Sequence, residues 1–169
     1  MKGSSTKVPD PGPIPVTLRS ERPEDEAFLL ELYASTRQEE MQRTGWDIAT
    51  QTLFIKMQFN AMRQGYASMF SAAESSIILF EGKPIGRILV DRPGREIRLV
   101  DLALMPDWRD RGIGTGLLQC LQTEARQNGR PVRLQVWKMN RAARLYERLA
   151  FLRTGGDEMY DHLEWHPPV

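Results

Sequence analysis

The sequence predicts a single α/β domain built on a mixed, mostly antiparallel sheet with helices on both faces. Three observations lead there. Three β-rich runs, Ile77–Phe80, Ile85–Val90 and Ile97–Leu104, follow one another through turns too short for anything but antiparallel pairing. Ile97–Leu104 is then separated from the alternating run Val132, Leu134 and Val136 by a helix-length segment, so those two strands lie parallel. The chain has 169 residues and a 41% apolar fraction, enough for one domain with its own core.

Each element has a local reason. Met1 to Pro13 carries three Gly or Ser residues in a row and three prolines, with almost nothing to bury, and is expected to be a flexible leader to a domain spanning 14–169. Val16 and Leu18 alternate with polar neighbours, as a short strand does. Pro23 followed by Glu24, Asp25 and Glu26 suits a helix start, with Phe28, Leu29, Leu32 and Tyr33 as the apolar face. Asp47 is placed to cap a second helix whose face is Leu53, Phe54, Met57 and Ala61 and whose stop is Gly65. Gly82–Lys83–Pro84 and Pro93–Gly94 turn the hairpins. Ile113, Leu117, Leu118, Leu121 and Ala125 line one side of the crossover helix, which ends at Asn128–Gly129. Asn140 is placed to cap a short helix bearing Leu145 and Leu149, and Phe151 to Trp165 supplies one or two final strands.

Composition excludes several chemistries. Lys and Arg number 23 and Asp and Glu 22, a balance that argues against a nucleic-acid or anionic-membrane coat. One cysteine cannot form an internal disulfide or a cysteine zinc cluster. His162 and His166, the two histidines, sit together near the C-terminus, which disfavours a histidine metal site or a serine–histidine triad. No metal is expected, no membrane span is visible, and the default setting is cytoplasmic.

The chemistry is expected at the crossover. In Arg109 to Gly116, small residues leave backbone N–H groups free, and the helix start adds orphan donors and a positive dipole end. That combination suits a phosphate or pyrophosphate. A Walker loop would need a Gly-Lys-Ser/Thr ending, which is absent. A dinucleotide fingerprint would need a third glycine where Leu117 stands.

Arg109-x-x-Gly112-x-Gly114 resembles the acyl-CoA pyrophosphate motif of the GNAT N-acetyltransferase superfamily. A second stretch is similar too: Asn140, Ala143, Leu145-Tyr146 and Ala150-Phe151, with Ala150 where the family usually has glycine. The resemblance runs from about Val16 to Trp165. It implies a parallel strand pair splayed around acetyl-CoA, with backbone groups of Leu102, Ala103 and Leu104 on the pantetheine arm. It also implies that N–H groups of Arg111, Gly112, Ile113, Gly114 and Thr115 hold the pyrophosphate and that Asn140 touches the CoA arm. The implied reaction is direct attack of a primary amine, on a small molecule or a peptide, upon the thioester. Tyr146 would act as the acid for the departing sulfur, since a phenol keeps its proton at neutral pH. A non-catalytic acyl-CoA binding or sensing module is the alternative, and a homodimer is left open.

Asp101 is the leading candidate base: a lone acid in the apolar strand Leu99–Ala103, expected to share a face with Leu99 and Ala103, where burial would raise its pKa. Glu96 or a water chain is the second choice. Glu39, Glu40 and Trp46, read as lying between the first helices, are candidates to meet a cationic amine or else form a solvated acidic loop. Cys120 reads as core packing rather than as an acyl carrier, since no base lies near it in sequence. One of Arg126, Arg130, Arg133, Arg141 and Arg144 is a candidate for the CoA 3′-phosphate.

Overall fold

Antiparallel pairing builds the sheet from its N-terminal edge. The computed structural model describes residues 14–168, so the expected flexible leader lies outside the described residues. Seven strands run in the order β1 (Thr17–Ser20), β2 (Glu74–Phe80), β3 (Lys83–Asp91), β4 (Ile97–Leu104), β5 (Val132–Trp137), β7 (Tyr160–Trp165) and β6 (Leu152–Gly156). Only β4 and β5 are parallel, as the intervening helix requires. The β2–β3 turn is Glu81–Gly82, both with positive φ (48° and 78°), the conformation a tight two-residue hairpin needs. Lys83 and Pro84, expected in the turn, already belong to β3, where Pro84 sits beside an irregularity in the pairing.

Helices cover the two faces unequally. On one face lie α1 (Glu26–Thr44) and α2 (Ile48–Met69), whose Leu29, Leu32 and Phe59 pack on Ile77. On the other, α3 (Ile113–Asn128) and α4 (Ala143–Arg148) join the larger core, which takes Ile97 and Leu99 from β4 and Val132, Leu134 and Val136 from β5. Left-handed glycines bound α3 at both ends, Gly112 at φ 81° and Gly129 at φ 61°. The buried Gln122 amide donates to the Leu149 carbonyl at 2.8 Å and ties α3 to the end of α4. Among the described residues, no helix is long and apolar enough to cross a membrane.

The second helix departs from expectation in its face and its end. Asp47 caps it as expected, accepting the Thr50 N–H at 2.7 Å. Ile55 and Phe59 are its buried residues, however, while Leu53, Met57 and Ala61 are exposed. Both rows repeat every four residues, so periodicity within α2 does not choose between them. The fit of Phe59 against Tyr33, with ring centroids 5.9 Å apart, and against Ile77 does. Gly65 lies inside the helix, which ends instead where the Phe70 N–H bonds the Tyr66 carbonyl. The segment before α2 is also more helical than expected. α1 continues through Glu39 and Glu40 to Thr44 and stops at the left-handed Gly45.

One ion pair fixes the entry of α1. Asp25 is buried and receives both Arg19 nitrogens at 2.7 Å, together with the Arg22 N–H at 2.8 Å. The Arg19 guanidinium holds the Asp25 carboxyl down at about 2. A carboxyl depressed in the folded state stabilises the fold above its unfolded pKa and loses that contribution as pH falls toward the folded one. Asp25→Asn should therefore lower stability by about 1–2 kcal/mol at pH 7. In thermal melts of both proteins the gap should shrink as pH falls from about 4 to 2.

Candidate active site

The site begins with one extra residue in β4. Leu89 of β3 faces Asp101, but Val90 faces Leu99, so Val100 is bulged out of the ladder. A bulge bends a strand and sharpens its twist. The pairing with β5 stops at the same place: Ile97, Arg98 and Leu99 meet Val132, Arg133 and Leu134, and no rung follows. Beyond it β4 and β5 part. The Met105 N–H bonds the Ile85 carbonyl on β3. By alternation, the N–H and C=O groups of Leu102 and Leu104 turn away from β3 into the gap, while those of Ala103 turn toward β3. The Leu104 carbonyl is already taken by Arg109 Nε at 2.9 Å, and Arg109 Nη2 reaches Ser35 Oγ of α1 at 3.1 Å. Arg109 thus braces the strand end and α1.

The glycine loop ends in the same gap. Asp110 and Gly112 adopt left-handed φ of 58° and 81° and turn the chain into α3. The first intrahelical bond is Gly116 N–H to the Gly112 carbonyl at 3.0 Å. The N–H groups of Ile113, Gly114 and Thr115 precede it and form the donor end of the helix. Ile113 is buried in the core, and the Arg111 guanidinium lies over the Trp108 ring at 5.3 Å. A Cβ on Gly114 would sit 3.4 Å from Leu145 Cδ2 and 4.0 Å from Leu102 Cδ2. The loop, β4 and α4 therefore converge around a residue with no side chain.

Tyr146 is buried on α4, its ring edge-on to Phe151 at 5.7 Å. Burial, and then the charge of Asp101, push its phenol up to about 12. Among the described residues its hydroxyl has no hydrogen-bond partner. The turn before α4 is closed by Asn140, whose Oδ1 accepts the Ala142 N–H at 2.9 Å. Asn140 thus closes this turn and is not the helix N-cap itself, a position that Ala142 holds.

Asp101 lies on a different face from the one expected. The bulge turns it with Ala103 toward α1 and α2, while Leu99 stays in the α3 core. Its surroundings also differ from an apolar strand pocket: Arg87, buried on β3, donates to its Oδ2 at 2.5 Å. Among the described residues Oδ1 has no protein donor. The Arg87 guanidinium lies 5.9 Å from the Tyr66 ring centroid, and burial followed by the Asp101 charge pushes the Tyr66 phenol up to about 12. Local sequence pattern does not single out Arg87 or Tyr66 as site residues. A single charge inside the apolar run Ile85–Val90 was the available signal for Arg87. Glu96 is committed elsewhere, bonded by Arg98 at 2.8 Å and also by Arg133 at the paired end of β4.

Other candidates are drawn apart. Glu39 pairs with Arg141 at 2.6 Å, Glu40 with Arg37 at 2.6 Å, and Trp46 packs edge-on against Phe54 at 5.3 Å. Arg126 lies over Trp165 at 5.0 Å. Cys120, expected in the core, is exposed on α3, where it lines an open groove with Leu117, Leu121, Ile88 and Val90.

A model of the acetyltransferase (GNAT) family matches residues 28–151, well over half of the chain. The fold is similar to that of the PaiA N-acetyltransferase from Thermoplasma acidophilum in complex with coenzyme A. That protein is 16% identical, with a TM-score of 0.67 over 90% of this chain and 99% of the other. An acetyltransferase from Thermus thermophilus is 13% identical, with a TM-score of 0.65 over 89% of this chain and 96% of its own. A structure from Corynebacterium glutamicum, described as histone acetyltransferase HPA2 and related acetyltransferase, is 18% identical, with a TM-score of 0.62 over 91% and 97%. At such identities the likeness is one of fold. No curated protein matches the chain.

The turn that follows Tyr146 carries a measurable strain. Ala150 has φ 62°, a left-handed conformation that a Cβ disfavours by about 1–2 kcal/mol. Ala150→Gly should raise the unfolding free energy by about 1 kcal/mol. Urea denaturation of both proteins, with an unchanged slope, measures it.

Proposed function

The chain belongs to the acetyltransferase (GNAT) family, and from that premise we propose that it moves an acetyl group from acetyl-CoA to a primary amine by direct attack. The observation that carries this reading is the gap between β4 and β5, with a glycine-bounded helix start at one end and Tyr146 and Asp101 beside it. Acetyl-CoA supplies the activated thioester. N–H groups of Arg111 to Thr115 bind its pyrophosphate, because they combine free donors with the positive end of α3. Arg109, beside them, braces the strand end against α1. Leu102 and Leu104 align the pantetheine arm through the backbone groups that face the gap. The Leu104 N–H faces the thioester oxygen, where negative charge develops during attack.

Two side chains move protons. Asp101 Oδ1 accepts a proton from the amine, directly or through one water, while Arg87 fixes the carboxylate through Oδ2. The amine nitrogen bonds to the acetyl carbon, the carbon–sulfur bond breaks, and Tyr146 gives its phenolic proton to the sulfur. The proton released by the amine returns to the phenol through solvent, so the cycle balances. A phenol held near 12 enters every cycle protonated.

Tyr146→Phe tests this mechanism. It keeps the ring against Phe151 and removes the acid, so kcat should fall by about 10²–10⁴-fold with acetyl-CoA affinity little changed. Thiol release gives the first quantity and calorimetry the second. A wild-type kcat would remove Tyr146 from the chemistry. Absence of turnover in the wild type with every amine offered would favour the sensing module.

Gly114→Trp tests the binding site. With Leu145 3.4 Å from the site of its Cβ, an indole has no room without blocking the loop. Calorimetric CoA binding should be lost while circular dichroism and melting remain those of a folded protein. Wild-type affinity would show that the pyrophosphate lies elsewhere.

A further inference from the structure

Among the described residues, α1 and α2 cover β2, β3 and β4 but leave the same face of β5, β7 and β6 open. The side chains on that open face come in cross-strand rungs. Val132, Leu134 and Val136 point into the α3 core, so Arg133, Gln135 and Trp137 point the other way. Their β7 partners are Glu164, His162 and Tyr160. The rungs change in character along the strands. Arg133 and Glu164 form an ion pair at 2.8 Å, at the end where β5 still pairs with β4. Gln135 and His162 form a polar pair at 3.1 Å in the middle. Trp137 and Tyr160 form an apolar rung at the end where β4 has turned away.

That last rung continues into a shelf. Trp137 is 49% exposed and Tyr160 40%, and beside them Met139 is 76% exposed and Met159 58%. The Lys138 N–H bonds the Met159 carbonyl at 3.0 Å, which holds the two methionine segments side by side. None of these four side chains is charged. The shelf lies across the gap from the carboxylate: β5 pairs with β4 as far as Leu134 opposite Leu99, so beyond that rung Trp137 and Asp101 stand on the two sides of the opening, both on the α1/α2 face of the sheet. A carboxylate oxygen without a protein donor among the described residues therefore shares this face of the sheet with two exposed aromatic side chains.

We propose that this shelf selects the acceptor: a primary amine carrying a flat aryl or similarly apolar body, whose nitrogen meets Asp101 while its ring lies on Trp137 and Tyr160. The assignment rests on the acetyl-transfer reading above. Charge complementarity at Asp101 and continuity of the shelf with the β4–β5 gap commit it to a small aromatic amine. Methionines adapt to rings of varied outline. Trp137 and Tyr160 are the specificity-determining residues, and the polar Gln135–His162 rung marks the far limit of the shelf.

The test measures kcat/KM by thiol release for phenethylamine, ethylamine and spermidine, in the wild type and in Trp137→Ala. Trp137 is half exposed, so its removal leaves the core intact; a melting curve checks this. The wild type should prefer phenethylamine to ethylamine by about tenfold or more, and Trp137→Ala should reduce that ratio by about tenfold. Equal efficiency with the two amines, a preference for spermidine, or a ratio unmoved by the substitution overturns the shelf and leaves acetyl transfer standing. Thiol release with none of the three amines, nor with any amine of a wider panel, overturns both readings. Sedimentation of both proteins completes the experiment. A wild-type dimer that Trp137→Ala converts to monomer would assign the shelf to a second copy of the chain and overturn the proposal.

Discussion

The parting of β4 from β5 is the constraint on which the rest depends. A central strand normally satisfies its backbone on both sides, and leaving donors and acceptors unpaired in a sheet interior is costly. Here the bulge at Val100 bends β4 away after three parallel rungs, and the Leu102 and Leu104 groups are left facing a gap. Arg109 satisfies one of them, the Leu104 carbonyl, through its side chain. The remainder are unspent hydrogen-bonding capacity in the middle of the sheet.

The same bulge reorganises the side chains. Without it, Asp101 would follow Leu99 into the α3 core as an unpaired buried acid. With it, Asp101 turns to the α1/α2 face and meets Arg87. A buried arginine left alone in β3 would carry a heavy desolvation cost, and so would an isolated acid, but the pair offset each other. The Asp101 charge then acts on the tyrosines around it, and with burial it keeps the Tyr146 phenol protonated. Backbone geometry at a single residue thereby sets the surroundings of the carboxylate and the opening beside it.

Packing around glycine fixes the other end. Gly114 admits Leu145 and Leu102 to within contact distance of where its side chain would be, so the donor end of α3 comes up against β4 and α4. Gly86 does the same for the β3–β4 pair, since a Cβ there would lie 2.8 Å from Leu104 Cδ2 and strike the Ala103 carbonyl. At Ala150, by contrast, a residue with a Cβ is held at φ 62° by the turn that leads Phe151 under the Tyr146 ring.

The order of elements, the antiparallel hairpins, the single parallel crossover and the glycine loop at a helix start all follow from local pattern. Turn residues, alternation and the helix period act over a few positions and are written in the chain itself. Only the tertiary structure decided which row of α2 is buried, because Leu53–Met57 and Ile55–Phe59 have the same spacing and only the fit against Tyr33 and Ile77 separates them. It also decided the face of Asp101 and the partner of Arg87. A bulge leaves no mark in an apolar run such as Leu99 to Leu104, and strict alternation assigns every later side chain to the wrong side. The pairing of Glu39 and Glu40 with arginines, and the open rung of Trp137 and Tyr160, likewise depend on which neighbours arrive from distant parts of the chain. Local periodicity carries no information about those neighbours.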